Sequence, residues 1–116
     1  MEKKYELTDE AITIEGITLH RIRAIKSFGI VRAGDLGGFI EGELNLSHMY
    51  DCWVAGDAMV YGKAKISGDA RVSGNAKVYG NAHVTGYARI CGYARVLGGA
   101  EVSDNTIVCG YEEISC

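Results

Sequence analysis

The chain has 116 residues, 47% hydrophobic and 23% charged, with a formal net charge of −3; this suits one globular domain and offers no global attraction to nucleic acid or an acidic membrane. No run of about 18 apolar residues occurs, so no membrane helix is expected. Gly is the outlier, with 16 residues against no Pro, which argues against collagen and against a flexible linker and fits a regular backbone that needs small residues at fixed places.

In chain order, the opening "MEKKYELTDEAITIEG" lacks the apolar core of a signal peptide, so a cytoplasmic location is expected. Ile12, Ile14, Ile17, Leu19, Ile22 and Ile25 are apolar, in two alternating runs divided by Glu15-Gly16. That pattern predicts a β-hairpin with a Gly turn, placed to cover the open edge of the coils C-terminal to it. Ile40, Leu44 and Leu46 begin an irregular first coil, and "HMYD", His48 to Asp51, is a loop that resets the register. Residues 1–51 are thus a cap with an irregular first coil, and residues 52–116 a repeat region continuous with it.

From Val54 the aliphatic residues recur every six positions through Val60, Ile66, Val72, Val78, Val84, Ile90, Val96, Val102 and Val108. Gly comes two positions later and Ala four positions later, giving the unit V-x-G-x-A-x. Alternation of this kind is a strand signal that places Val, Gly and Ala on one side and the variable residues on the other. One flat strand of this length is implausible. Bending at each Gly and returning above itself makes a β-solenoid. Like residues recur at eighteen: Tyr61 and Tyr79, Tyr93 and Tyr111, Cys91 and Cys109, Arg71 and Arg89, and the series Ser67, Thr85, Ser103. This spacing implies three hexads per coil, in a triangular prism of about three coils. At the far end Asp104 replaces Gly, and Thr106 and Glu112 replace Ala. Charge at an inward position is costly, so the last coil is expected to fray or end there. Either Glu112 and Glu113 discourage edge pairing, or a homo-oligomer forms through this coil or a solenoid face.

The text "YELTDEAITIEGITLHRIRAIKSFGIVRAGDLGGFIEGELNLS" followed by "CWVAGDAMVYGKA" resembles the YdcK-like β-solenoid proteins of bacteria and their phages. Its most specific part is "GDLGGFIEGELNLS", Gly34 to Ser47. The resemblance covers nearly the whole chain and implies a left-handed coil, which periodicity alone does not give. The expected fold is therefore all-β: a single-stranded left-handed parallel β-helix with three hexads per coil and an N-terminal β-hairpin cap. The resemblance also implies a transferase label by analogy with hexapeptide acyltransferases, although fold does not give function.

A core of Val, Ile, Gly and Ala leaves no polar group to act, so any site lies on an outer face, at a subunit boundary or on the cap. His83 is the one histidine of the repeats, facing outward beside Lys65 and Glu101; no inserted loop accompanies it, and it reads as a solvated side chain. His20 and His48 read as structural or exposed. No carboxylate dyad, nucleophile–base pair or phosphate-binding loop is found, so no catalytic residue and no cofactor are assigned. Cys52, Cys91, Cys109 and Cys116 form no CxxC pair and read as free thiols in a reducing compartment, with no metal site. Cys91 and Cys109 are close enough for a disulfide under oxidation if the coils stack as expected.

Lys65, Arg71, Lys77, Arg89 and Arg95 with outward tyrosines suggest nucleic acid, but three-hexad coils spread that basic column over three faces and dilute it with Asp57, Asp69 and Glu101. Ice binding needs ranks of Thr, and only Thr85 stands in the regular hexads. Exposed aromatics favour a protein partner: the candidate surface is Trp53, Tyr61, Tyr79, Leu97, Tyr87, Tyr93 and Tyr111. The leading expectation is a non-enzymatic, rigid binding or assembly module, with a phage-encoded accessory or host-directed inhibitor as one setting. The alternatives are an acyltransferase-like enzyme with a site between subunits, and nucleic-acid binding through the basic and tyrosine faces.

Overall fold

The computed structural model describes residues 3–115. It opens with β1 (Tyr5–Ile14) and β2 (Ile17–Ala24), an antiparallel hairpin closed by Glu15 at φ 49° and Gly16 at φ 82°. Two left-handed central residues match the twist of paired strands, as a type I′ turn requires. Next, β3 (Leu36–Ile40) pairs antiparallel with β2 and parallel with the coil beyond it, joining cap to solenoid. A short 3-10 turn at Glu43–Asn45 leads to Leu46, which bridges Ile66.

The repeats form strands of two residues each. They are β4 (Trp53–Val54), β5 (Met59–Val60), β6 (Lys65–Ile66), β7 (Arg71–Val72), β8 (Lys77–Val78) and β9 (His83–Val84). Then come β10 (Arg89–Ile90), β11 (Arg95–Val96), β12 (Glu101–Val102), β13 (Ile107–Val108) and β14 (Glu113–Ile114). They stack as three parallel faces, β4-β7-β10-β13, β6-β9-β12 and β5-β8-β11-β14, the last continuing through β3 into the hairpin. Partners lie eighteen residues apart, as in Arg71↔Arg89, Lys77↔Arg95 and Lys65↔His83. Two faces are four repeat strands deep, so the solenoid has about four turns rather than three. The irregular first coil stacks on these repeats with a different spacing, its partners Ile40↔Val60 and Leu46↔Ile66 lying twenty apart. Loop 47–52 absorbs the two extra residues, the register reset expected of "HMYD".

Within each hexad the aliphatic residue and the Ala fill the interior. Val54, Val60, Val72, Val78, Ala76 and Ala82 are fully buried, in one core cluster with Tyr5, Ile22 and Val31 of the cap. Each buried Val or Ile contributes about 1.5–3 kcal/mol. The glycines sit at the corners, as bends at each Gly require, but they do not face the interior with Val and Ala. Gly74 is exposed at φ 67°, and a Cβ there would lie 2.9 Å from the Gly92 nitrogen of the next coil. A corner therefore needs both a left-handed backbone and no side chain between stacked turns. Gly37 and Gly38, the pair in "DLGGF", answer a different need. Cβ atoms there would lie 2.5 Å from the Val54 carbonyl and 2.6 Å from the Ala58 carbonyl, so β3 meets the first full coil backbone to backbone.

The expected fraying at the far end does not occur. Asp104 takes the Gly corner at φ 58° and stays exposed, a conformation its short polar side chain tolerates. Thr106 and Glu112 are exposed because no further coil lies beneath them among the described residues. The coil runs on, with Leu97 donating to the Ile114 carbonyl at 2.9 Å.

Replacing Ala76 with Asp is expected to cost several kcal/mol and unfold the chain, whereas Asn75→Asp on the exposed corner is tolerated; thermal melting followed by circular dichroism distinguishes them, and equal tolerance would contradict the inside–outside assignment. A Cβ at Gly110, also left-handed, meets nothing within 4 Å. Gly110→Ala should thus cost about 1–2 kcal/mol from conformation alone, and Gly74→Ala clearly more, by chemical denaturation.

Candidate binding surfaces

The cap end is a polar network. Lys4 is buried, and its Nζ donates to the Cys52 carbonyl at 2.7 Å and the Tyr50 carbonyl at 3.0 Å. It also lies 3.5 Å from Cys52 Sγ and 4.5 Å from the Phe28 ring centroid. Burial pushes the Lys4 ammonium below its ordinary pKa and the Cys52 thiol above its own. Tyr5 donates to the Leu46 carbonyl at 2.6 Å and stacks on His48 at 4.1 Å. His48 Nδ1 faces the Lys4 backbone N–H at 3.2 Å and so must accept, which leaves the proton on Nε2, 2.7 Å from Glu43 Oε1. The hydrogen bond from His48, then the contact with Lys3, hold the Glu43 carboxyl below its ordinary pKa. Buried Asn45 accepts from the Glu41 and Gly42 N–H groups and donates to the Gly62 and Ala64 carbonyls. These groups bind one another and the chain, so the network clamps the N-terminus onto the first coil. His20 likewise contacts the Thr8 carbonyl at 3.0 Å.

The first face carries the outward column Trp53, Arg71, Arg89 and Ile107. Trp53, expected outside, is only 5% exposed, because Phe28 packs edge-on at 5.3 Å and Tyr5 lies at 6.3 Å. Beside this column Cys91 and Cys109 form a disulfide with Cα atoms 4.6 Å apart, which corrects their reading as free thiols. The eighteen-residue register sets them side by side on adjacent turns. Cys52 is a buried free cysteine, and Cys116 lies outside the described residues. Ile30, Val31, Trp53, Arg71, Arg89 and Ile107 line a groove of about 500 Å³ along this face.

The second face carries Met59, Lys77, Arg95 and Glu113. The hairpin occupies its near end. Leu19 and Phe39 cover Tyr61, which is 7% exposed and stacked on Tyr79 at 5.1 Å. Burial, then the neighbouring Tyr79, push the Tyr61 hydroxyl above its ordinary pKa. Tyr61 is therefore withdrawn from the expected surface, and Tyr79 and Leu97 are half-buried. Arg21 ties the hairpin to the coil through Asp57 at 3.2 Å, pairs with Glu10 of β1 within the hairpin at 2.9 Å, and lies over the Phe39 ring. Farther along, Tyr93 and Tyr111 stack at 5.2 Å with their planes 6° apart. They share a groove of about 470 Å³ with Met59, Lys77 and Arg95, and with Asp57 and Glu113 as counter-charges. Tyr87 is exposed on a different corner and joins neither stack.

On the third face Lys65, His83 and Glu101 form a column, with His83 exposed. The five basic candidates thus divide as Arg71 and Arg89, Lys77 and Arg95, and Lys65 alone. Among the described residues no group of three or more His, Cys, Asp or Glu side chains is arranged to hold a metal ion, and no helix is long and apolar enough to cross a membrane.

Short strands stacked at a constant register around a filled interior define a three-faced parallel β-solenoid. Residues 64–78 match the family model described as the YdcK beta solenoid repeat. The chain thus carries a segment similar to the YdcK beta solenoid repeat within a fold that is a β-solenoid throughout its repeats. No curated protein matches it.

Glu43 titrates below its ordinary value of 4.5 in the folded chain. Just below that value the unfolded chain binds more protons, so this contribution to stability is present above pH 4.5 and is lost as pH falls through the folded value. Glu43→Gln should flatten the fall of melting temperature on the acid side of pH 4.5, read from melts across a pH series.

Proposed function

We propose that this protein is a non-enzymatic, rigid protein-binding module, and that its contact surface is the groove holding Tyr93 and Tyr111. The observation that carries this reading is the Tyr93–Tyr111 stack: 54% and 85% exposed, held by the coil register, and set against Lys77 and Arg95. Stacked tyrosines on a rigid backbone offer large amphipathic area with little entropy left to lose, which interfaces favour. The neighbouring charges of both signs suit a polar rim. The filled interior supports a non-enzymatic role, since it offers reactants no enclosed space. A second copy of the chain, meeting this groove or the exposed last coil, is one partner of that kind.

The double variant Tyr93→Ser with Tyr111→Ser should keep the melting temperature near wild type, because both rings are exposed. It should weaken partner binding about 30-fold or more, as loss of an aromatic anchor does. The check is affinity capture from lysate and sedimentation of the pure chain, run beside Tyr87→Ser on another corner. Proteins or oligomers held by wild type and Tyr87→Ser but lost in the double variant support the reading. Equal retention by all three overturns it. A salt-dependent mobility shift with oligonucleotides, abolished by Lys77→Gln with Arg95→Gln, would replace it with nucleic-acid binding.

A further inference from the structure

We infer that the groove on the face built by β4, β7, β10 and β13 is a ligand site for a monocarboxylate carried on an apolar body. It lies apart from the tyrosine groove and does not depend on it.

Arg71 and Arg89 are direct partners on adjacent parallel strands, so their backbones lie roughly 4.8 Å apart. Like charges placed opposite each other destabilise a sheet. Neither arginine forms an ion pair among the described residues. The other two faces show how this chain relieves such a column: Lys77 and Arg95 are succeeded by Glu113, and Lys65 and His83 by Glu101. Here the next residue is Ile107. The column on this face is the one that carries two stacked cations and no acid, so it is complementary to an anion supplied from outside.

The walls describe the rest of that ligand. Ile107 is 62% exposed beyond the arginines, and Ile30, 75% exposed, stands in the loop that borders the groove with Val31 and Trp53. The volume of about 500 Å³ falls in the range of small-molecule sites, which are mostly apolar with a few converging polar groups.

The donors present select the anion. Backbone N–H groups along this face are already committed to the next coil, from Trp53 to Ala70, Arg71 to Ala88, Ser73 to Ile90, Arg89 to Thr106 and Cys91 to Val108. None of these is free to cradle a phosphoryl group. The side-chain N–H and O–H donors lining the groove are two guanidinium forks and the Ser73 hydroxyl. A planar carboxylate is satisfied by bidentate guanidinium contacts alone, whereas phosphate sites are commonly completed by a cradle of backbone N–H groups, which the committed amides of these strands do not supply.

Trp53 is the single tryptophan of the chain and lines the groove, so its fluorescence reports on this site. The probes are 4-phenylbutyrate, its neutral amide of the same shape, and phenyl phosphate. A saturable change with the carboxylate is expected, with the amide at least about tenfold weaker for want of charge-assisted hydrogen bonds. Arg71→Gln and Arg89→Gln should each weaken the carboxylate about tenfold or more, and Arg95→Gln on the neighbouring face should leave it unchanged. Without ligand, Arg71→Gln should melt at or above the wild-type temperature, because it relieves a repulsion. Equal responses to acid and amide, a loss in Arg95→Gln as large as in Arg71→Gln, or no saturable response at millimolar probe would each overturn the site. Tighter binding of phenyl phosphate would overturn the choice of anion. A lower melting temperature for ligand-free Arg71→Gln would show the arginines to be structural, and would overturn the argument from uncompensated charge.

Discussion

Everything in this molecule depends on one backbone contact: the approach of each corner to the corner eighteen residues on. Asn75 donates to the Gly92 carbonyl at 2.7 Å and Asn81 to the Gly98 carbonyl at 2.7 Å, so the corners as well as the strands carry hydrogen bonds from coil to coil. That leaves no room for a Cβ at Gly74 or Gly80. Strands of two residues cannot hold a sheet by themselves. They stay in line because the corners around them are also bonded, and the aliphatic residues stack in register as a consequence.

A tube wound this tightly has consequences for chemistry. Its interior accepts Val, Ile and Ala and nothing larger, so it stores no polar group and admits no reactant. The polar residues that are buried, Lys4 and Asn45, lie at the cap end, where the regular pattern has not yet begun. Lys4 satisfies the Tyr50 and Cys52 carbonyls, and Asn45 satisfies the Glu41 and Gly42 N–H groups and the Gly62 and Ala64 carbonyls, where the 3-10 turn interrupts the regular ladder. The contact between His48 and Glu43 belongs to this same closure. The outer walls are not equivalent: the hairpin covers the near end of one, and the loop carrying Ile30 and Val31 borders another.

On those walls the register acts as an amplifier of sequence. A residue and its eighteenth successor become neighbours, which joins Cys91 to Cys109, stacks Tyr93 on Tyr111 and sets Arg71 against Arg89. A column can be self-satisfied, as where a glutamate succeeds two basic residues, or it can be left with a surplus. The tyrosine groove and the arginine groove are surpluses of different kinds, one aromatic and one cationic, held on a surface that does not deform to hide them.

The sequence by itself determined the solenoid, its three faces, the hairpin cap and the inward Val and Ala, because each is a local rule repeated at a constant interval. It also determined which outward residues share a column, since the coil length is set by matches at eighteen. It placed the bends at the glycines but turned them inward, because period-two alternation cannot distinguish an inward position from a left-handed corner, and that error made Asp104 look buried. Only the tertiary structure decided which columns remain open. Trp53 and Tyr61 occupy outward positions of the pattern like their exposed neighbours, yet Phe28 covers one and Leu19 with Phe39 the other. Those contacts join segments distant in the chain that obey no repeat, so no periodicity announces them. For the same reason a groove bordered by Ile30 and floored by Arg71 and Arg89 has no signature in the sequence: its parts belong to different elements, and only folding brings them together.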